Sequence, residues 1–326
     1  MERSELTPVV LFVYDRPGHA EQTLTHLAAN DLAARTTLYI FSDGPKPGAN
    51  PEQVRRIGLV RQVIRSRTWC GEVVIHESPF NKGLANSIID GVTEVIHQHG
   101  RVIVLEDDLV TSPGFLNFMN RALTFYDPYK AVFSIAADRP YGARFVIPDD
   151  YSYDVFASLR PFSYGWATWS DRWSLCDWSM EAIHTLLSNE QQGEAFCRGG
   201  EDLDDMLQMQ MVGKIDSWAI RFALSHFKHH GVAILPTFPY VENIGYDGSG
   251  TNCLKQHAKN KIDFSRCPSE PRFLDVVYED ARIINSFYSY YYPKKRPIWK
   301  KGINMFSRLV GGNNLFTLKG KVYTSR

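Results

Sequence analysis

Apolar residues follow two rhythms in the first half of the chain. Val9-Val10-Leu11-Phe12-Val13-Tyr14 is a continuous apolar run that breaks into Asp15-Arg16-Pro17-Gly18, as a buried parallel strand entering a turn would. Leu38-Tyr39-Ile40-Phe41 repeats the pattern and breaks into Ser42-Asp43-Gly44-Pro45, and Glu72-Val73-Val74-Ile75-His76 is a third strand. Leu84, Ile88, Val92, Val95 and Ile96 then recur at helical spacing and predict a helix over about 82–99. Val102-Ile103-Val104-Leu105 makes a fourth strand, which delivers Glu106-Asp107-Asp108 at its end. A further helix is expected from Pro113, because a proline costs nothing in a first turn.

Strands alternating with helices imply an α/β fold: a doubly wound, mostly parallel sheet flanked by helices. Such sheets bind ligands beyond their carboxyl strand ends. Three polar clusters fall there: Asp15-Arg16, Asp43-Gly44 and Glu106-Asp107-Asp108. After about Asp149 the regularity is lost. An aromatic-rich stretch over 151–178 precedes helical patterns at 201–211 and 217–230 and a strand at 232–235. From Cys253 onward the chain is polar, then aromatic and basic, which marks 1–252 as the main domain and 253–326 as an appendage.

Charge refines this picture. The 36 basic and 36 acidic residues balance, which argues against a dedicated nucleic-acid binder. No Asp or Glu follows Asp280, whereas Lys294, Lys295, Arg296, Lys300, Lys301, Arg308, Lys319, Lys321 and Arg326 do, interleaved with Tyr288, Tyr290, Tyr291, Tyr292, Trp299 and Phe306. Basic and aromatic side chains together suit an anionic membrane surface, and a merely docked tail is the alternative. Cys70, Cys176, Cys197, Cys253 and Cys267 are widely spaced and odd in number, so they read as reduced thiols. The polar start carries neither signal-peptide nor membrane-span pattern. The expectation is a cytoplasmic protein, with peripheral contact at the inner face of the membrane through the tail.

Clustered carboxylates repel one another, so Glu106-Asp107-Asp108 costs free energy unless a cation binds there. Oxygen ligands suit Mg²⁺ or Mn²⁺, which complete their shells with water and substrate phosphates. The alternative is a solvated acidic turn capping the next helix.

The run Leu105-Glu106-Asp107-Asp108-Leu109, followed by Ser112-Pro113-Gly114-Phe115, resembles the aspartate-x-aspartate region of GT-A glycosyltransferases. It is most similar to the N-acetylglucosaminyltransferase I type and to bacterial polysaccharide sugar transferases. The resemblance spans roughly 8–250 and implies a Rossmann-like GT-A fold with a nucleotide-binding half over about 1–149 and an acceptor half over about 150–252. It implies that Arg16 contacts the nucleotide, Asp43 the uracil, and Asn81 and Lys82 the same site. Glu106 and Asp107 would lie against the donor, and Asp108 would be the direct ligand of Mn²⁺ or Mg²⁺. The family's base precedes a helix and a Gly-x-x-Ile/Leu-x-Pro strand. Lys214-Ile215-Asp216-Ser217-Trp218 and Gly231-Val232-Ala233-Ile234-Leu235-Pro236 match, with Ile215 and Ser217 as departures, so Asp216 is the candidate base. It is equally a candidate N-cap.

Glu201 and Asp202, in an acidic stretch suited to a helix start, are the rival base or acceptor contacts. Phe162, Tyr164, Trp166, Trp169 and Trp173 form an aromatic band. The i, i+3, i+7 spacing of its tryptophans reads as a helix stripe, with Trp169 and Trp173 in the core, while the Pro161-Phe162-Ser163-Tyr164-Gly165-Trp166 turn resembles an acceptor-loop segment of the family, which implies that Gly165 and Trp166 line the acceptor site. His226, His229 and His230 read as a solvated helix face, or, as the resemblance implies for one of them, an added metal or diphosphate contact. Gly245-Tyr246-Asp247-Gly248-Ser249-Gly250-Thr251 resembles a loop closing over donor.

The activity implied is inverting transfer from a UDP-sugar to a carbohydrate or lipid-linked glycan, in surface polysaccharide or lipopolysaccharide synthesis. Two rivals stand beside it. A nucleotidyltransferase would want a glycine-rich, cationic loop after the first strand, and a non-catalytic carbohydrate-binding relative would have no use for the carboxylates.

Overall fold

The computed structural model describes residues 6–142, 145–248 and 261–291. In chain order these form β1 (Val9–Val13), α1 (Pro17–Ala28), β2 (Thr37–Ser42), α2 (Pro51–Arg65), β3 (Glu72–Glu77), α3 (Leu84–His99), β4 (Arg101–Glu106), β5 (Leu109–Thr111) and α4 (Phe115–Tyr126). Next come β6 (Val132–Ala136), β7 (Val155–Ser158), β8 (Trp166–Trp169), α5 (Ser170–Trp173), α6 (Met180–Leu187), α7 (Glu190–Phe196) and α8 (Asp202–Met211). The last are α9 (Trp218–Lys228), β9 (Val232–Pro236), β10 (Val241–Asn243) and α10 (Ala281–Tyr291).

Among the described residues eight strands make one sheet, in the order β3-β2-β1-β4-β8-β6-β9-β7, and β5 and β10 make a separate ribbon. β3, β2, β1 and β4 are parallel, β6 and β9 are parallel to each other, and β8 and β7 run against their neighbours. The fold is thus mixed α/β, with a large central sheet between helices. Alternation explains the layering. Val9, Leu11, Val13, Ile103 and Leu105 pack on one face with Leu24, Leu27, Val60 and Phe118, while Val10, Phe12, Val102 and Val104 pack on the other with Ile88, Val92, Trp218 and Phe222. Burial on both faces is why the parallel strands carry unbroken apolar runs.

Three sequence expectations change. The tryptophan band is not a helix stripe. Trp166-Ala167-Thr168-Trp169 is strand β8, and only 170–173 are helical. Three residues apart on a strand, Trp166 and Trp169 face opposite sides and enter different cores. The expected start at Pro113 moves to Phe115, because Leu109–Thr111 first pairs with Val241–Asn243 as a ribbon. The appendage drawn from 253 is, over 261–291, packed on the domain: Leu274, Ile283 and Phe287 are buried, and Tyr126 Oη accepts from Leu274 N at 2.8 Å. The basic residues from Lys294 onward, with the membrane reading, lie outside the described residues, as does Cys253. Among the described residues no helix is long and apolar enough to cross a membrane.

His226 is fully buried rather than solvated, between Phe133 and Phe222, with Ser134 Oγ 2.9 Å from Nε2 and Phe222 O 2.9 Å from Nδ1. Burial drives its pKa down to about 4, so the folded protein holds it neutral. The unfolded chain takes the proton near the ordinary value of about 6.5, so this contribution is intact above that pH and is lost as pH falls toward 4. We expect about 2 kcal/mol of stability to be lost between pH 7 and pH 5 through this residue. Thermal melts should show a smaller drop over that interval for His226→Gln than for the wild type, and equal drops would refute the assignment.

Candidate functional site at the carboxyl edge of the sheet

Register brings the polar clusters level. Phe12 pairs with Glu106 and Val13 with Ser42, so the turns after β1, β2 and β4 meet at one edge. There the Arg16 guanidinium bridges the two aspartates of the acidic turn. Its Nη2 donates to Asp107 Oδ1 and lies 3.0 Å from Asp108 Oδ2. Both carboxylates are buried. Burial pushes the Asp107 pKa up and Asp108 adds to this, while Arg16 opposes both. For Arg16 burial alone would disfavour the charge, but the two carboxylates outweigh it and its pKa rises.

The turn is held from three sides. Thr23 Oγ1 of α1 donates to Asp107 O at 2.8 Å, and the β5–β10 ribbon pins Leu109–Thr111 immediately after the turn. Ile244 N then donates to Asp108 O at 2.9 Å, bringing the chain so close that a Cβ on Gly245 would overlap Asp108 Oδ2. Beyond it, Tyr246 Oη meets Tyr164 Oη at 2.9 Å and Asp247 meets His19 at 3.3 Å. The loop from Ile244 to Gly248 therefore lies over the acidic turn, while 249–251 fall outside the described residues. Beside it a cleft of about 350 Å³ is lined by Asp15, Arg16, Pro17, Gly18, His19 and Arg56. Tyr246 and Asp247 belong to the 245–251 segment singled out in the sequence, whereas nothing in spacing alone points to His19, whose only sequence signal is proximity to Arg16.

Asp43, Asn81 and Lys82 do come together, around the Asp43 carboxylate. Its carboxylate accepts from Gly44 N, Asn81 Nδ2, Lys82 N and Gly83 N at 2.8–3.1 Å, so it organises the 81–83 loop. Lys82 Nζ reaches outward to Asp90 at 3.4 Å. Glu106, buried at the end of β4, shares by alternation the face of Val102 and Val104, the side of α3 and α9.

The acceptor-side expectations fare unevenly. Trp166 does not line a site: it is 1% exposed, its ring 4.8 Å from Trp218 and 5.8 Å from Trp173, because β8 is interior to the sheet. Gly165 is buried at φ +62°, against Val241, Phe115 and Ala137, and serves the entry into β8 rather than a ligand. Trp169 and Trp173 are core, as expected. Asp202 is committed to a buried ion pair with Arg160 Nη1 at 2.8 and 2.9 Å, over which Tyr291 lies 4.0 Å away, so it is not available as a base. Glu201 adjoins that pair at the N-cap of α8.

The cap of α9 is Ser217, whose side chain accepts from Ile220 N, so Asp216 is relieved of the capping role. It is exposed and meets Arg221 Nη2 at 2.9 Å. Because β9 follows α9 and runs parallel to β6, α9 begins at the carboxyl edge, which puts Asp216 at the same edge as Asp108. Among the described residues no group of three or more His, Cys, Asp or Glu could hold a metal unaided. The acidic turn fits a cation that takes its remaining ligands from water and substrate.

No protein-family model matches the chain, and no curated protein matches it in sequence. Solved structures do resemble it. A mannosyltransferase, PcManGT from Pyrobaculum calidifontis, in complex with GDP-Man and Mn²⁺, is similar over 69% of this chain and 70% of its own, at 10% identity and a TM-score of 0.39. TarS of S. aureus is similar over 72% of this chain but 36% of its own, at 10% identity and 0.39. Mouse xyloside xylosyltransferase 1 is similar over 41% and 53%, at 15% identity and 0.25. At these levels no functional conclusion rests on them.

The charge balance of the turn is directly testable. Arg16→Ala leaves two buried carboxylates without a counter-charge, a change that costs about 3–5 kcal/mol. Millimolar Mn²⁺ or Mg²⁺ should then raise the melting temperature of the variant more than that of the wild type. An equal response of the two proteins would mean that the turn holds no cation.

Proposed function

We propose that the chain is a GT-A-type glycosyltransferase that moves a sugar from a UDP-sugar to a carbohydrate or lipid-linked glycan, with inversion. The observation that carries this reading is the Arg16 bridge to two buried carboxylates, at the carboxyl edge where β1 and β4 meet. A nucleoside diphosphate has what that arrangement needs: anionic oxygens for the guanidinium, and phosphate oxygens to share a cation with a carboxylate.

In this reading Asp108 would hold Mn²⁺ or Mg²⁺. Held there, the cation would supply neutralisation of the charge developing on the departing diphosphate. Arg16, released from the aspartates, binds the diphosphate in the cleft it lines with His19. The loop carrying Gly245 and Asp247 excludes water from the reacting bond. Asp216 accepts the proton of the acceptor hydroxyl while that oxygen attacks the anomeric carbon, and a single displacement inverts the centre. A growing surface glycan at the cytoplasmic face of a membrane is the acceptor that the basic, aromatic tail sequence favours.

Nucleotidyl transfer is disfavoured by a specific feature. Only three residues separate the end of β1 at Val13 from the start of α1 at Pro17, which leaves no loop to wrap a triphosphate. Products separate the two reactions. With a panel of UDP-sugars and Mn²⁺, sugar transfer releases UDP, whereas nucleotidyl transfer releases pyrophosphate. We expect UDP, abolished by chelator and lowered by at least about a thousandfold in Asp108→Ala with the fold retained. Asp216→Asn should bind donor like the wild type and lose turnover. A wild-type rate in Asp216→Asn would remove the base assignment, and pyrophosphate release would overturn the reaction class.

A further inference from the structure

We infer that Tyr291, at the end of α10, is a positioning residue for the loop that lies over the acidic turn, and that it acts on this loop through Arg160 and Tyr164. That the loop covers a sugar donor rests on the reading above; the contacts that tie it to α10 do not.

Three segments distant in the chain meet at one buried ion pair. Arg160 Nη1 donates to both carboxylate oxygens of Asp202, at 2.8 and 2.9 Å, and Nη2 faces Met206 Sδ at 3.7 Å. Tyr291 lies over the guanidinium, whose carbon is 4.0 Å from the ring centroid. A cation and an aromatic face taken out of water attract more strongly than they do at a surface. Gly200 shows how closely the segments approach. At its φ of +143°, a Cβ would lie 2.7 Å from Asp202 Oδ1, 2.9 Å from Arg160 Nη1 and 3.1 Å from Tyr291 Cβ. Burial pushes the Tyr291 phenol well above its ordinary pKa, Arg160 opposes the rise, and Tyr290, Asp202 and Tyr246 add to it. Tyr246, in the loop, is thus within electrostatic reach of α10.

From Arg160 the contacts run on to the loop. Ser158 Oγ, at the end of β7, accepts from Arg160 N at 3.2 Å and donates to Arg160 O at 2.9 Å, which fixes the start of the next turn. In that turn Phe162 packs on the same cluster as Tyr291, around Phe156, Ile283 and Phe287. Its ring meets that of Tyr164 edge-on, 5.4 Å between centroids, and Tyr164 Oη lies 2.9 Å from Tyr246 Oη. Tyr246 follows Gly245, which lies against the Asp108 carboxylate. A displacement of α10 therefore moves the 160–164 turn, and that turn holds the loop through the tyrosine pair.

Ile283 and Phe287 already bury the apolar side of α10. Tyr291 stands one turn beyond them and places its ring on a charged pair at the start of α8. An aliphatic side chain there would fill space but offer the guanidinium no π-face. In the sugar-transfer reading, a loop without this support would admit water to the reacting bond.

Hydrogen exchange at the Ile244 and Gly245 amides, measured without ligand, tests this. Tyr291→Ala should speed exchange there at least about tenfold, while the amides of β1 and β4 exchange as in the wild type. Tyr291→Phe keeps the ring and should match the wild type. Tyr164→Phe breaks the tyrosine pair, so adding Tyr291→Ala to it should bring little further change, whereas independent effects would multiply. Unaltered protein gives a further arm that misfolding cannot confound. In low urea, exchange in the last turn of α10 and at 244–245 should rise with the same denaturant dependence. The inference fails if Tyr291→Ala leaves 244–245 protected, if the two substitutions multiply, or if urea releases α10 without loosening the loop. UDP with Mn²⁺ should slow exchange at 244–245 in the wild type. If it does not, the UDP-sugar reading falls and the loop covers no such donor, while the comparison made without ligand still decides the hold of Tyr291.

Discussion

Two aspartates buried side by side cannot both stay charged without a cation, and here that cation is Arg16. Much of the surrounding architecture serves this contact. β1 and β4 must be neighbours for Arg16 to reach the turn, α1 must start at once to place Thr23 under Asp107, and the β5–β10 ribbon must close to bring Ile244 onto Asp108. Removing Arg16 itself would leave charge buried without its partner, which is among the costliest changes a folded protein can undergo.

In the proposed function the same bridge is the resting state of a binding site. A divalent cation can take over the neutralisation that Arg16 provides, and the guanidinium then has a diphosphate to receive. His19 and Asp247 tie the covering loop to the first turn of α1, so the cleft and its cover are linked to the same helix. Asp43 works differently. It collects four N–H donors and so holds the 81–83 loop against the end of β2.

Much of this is legible along the chain. Strands β1, β2 and β4 show themselves as apolar runs because most of their side chains are buried on both faces, whereas the edge strand β3 keeps only a half-buried apolar run between polar ends, and each polar cluster is visible as the break at a strand end. The features that escape a sequence reading depend on pairings distant in the chain. Leu109–Thr111 is too short to stand out until Val241–Asn243 lies against it, some 130 residues later. Trp166 and Trp169 carry a spacing that also fits a helix, and only their insertion between β4 and β6 makes them a strand. Asp202 reads as a free acid until Arg160 and Tyr291, far away in sequence, show it as half of a buried ion pair. Asp43 stands at the expected strand end, and its hold on the 81–83 loop shows only once that loop, some 40 residues later, lies against it.

The central claim is that the acidic turn exchanges Arg16 for a cation when a nucleoside diphosphate binds. Anomalous diffraction from crystals soaked with Mn²⁺ and UDP tests it most directly. The account predicts one manganese peak beside the Asp108 carboxylate, with the Arg16 guanidinium turned from the aspartates onto the diphosphate. A diphosphate bound with Arg16 still bridging Asp107 and Asp108, and no peak at the turn, would contradict it.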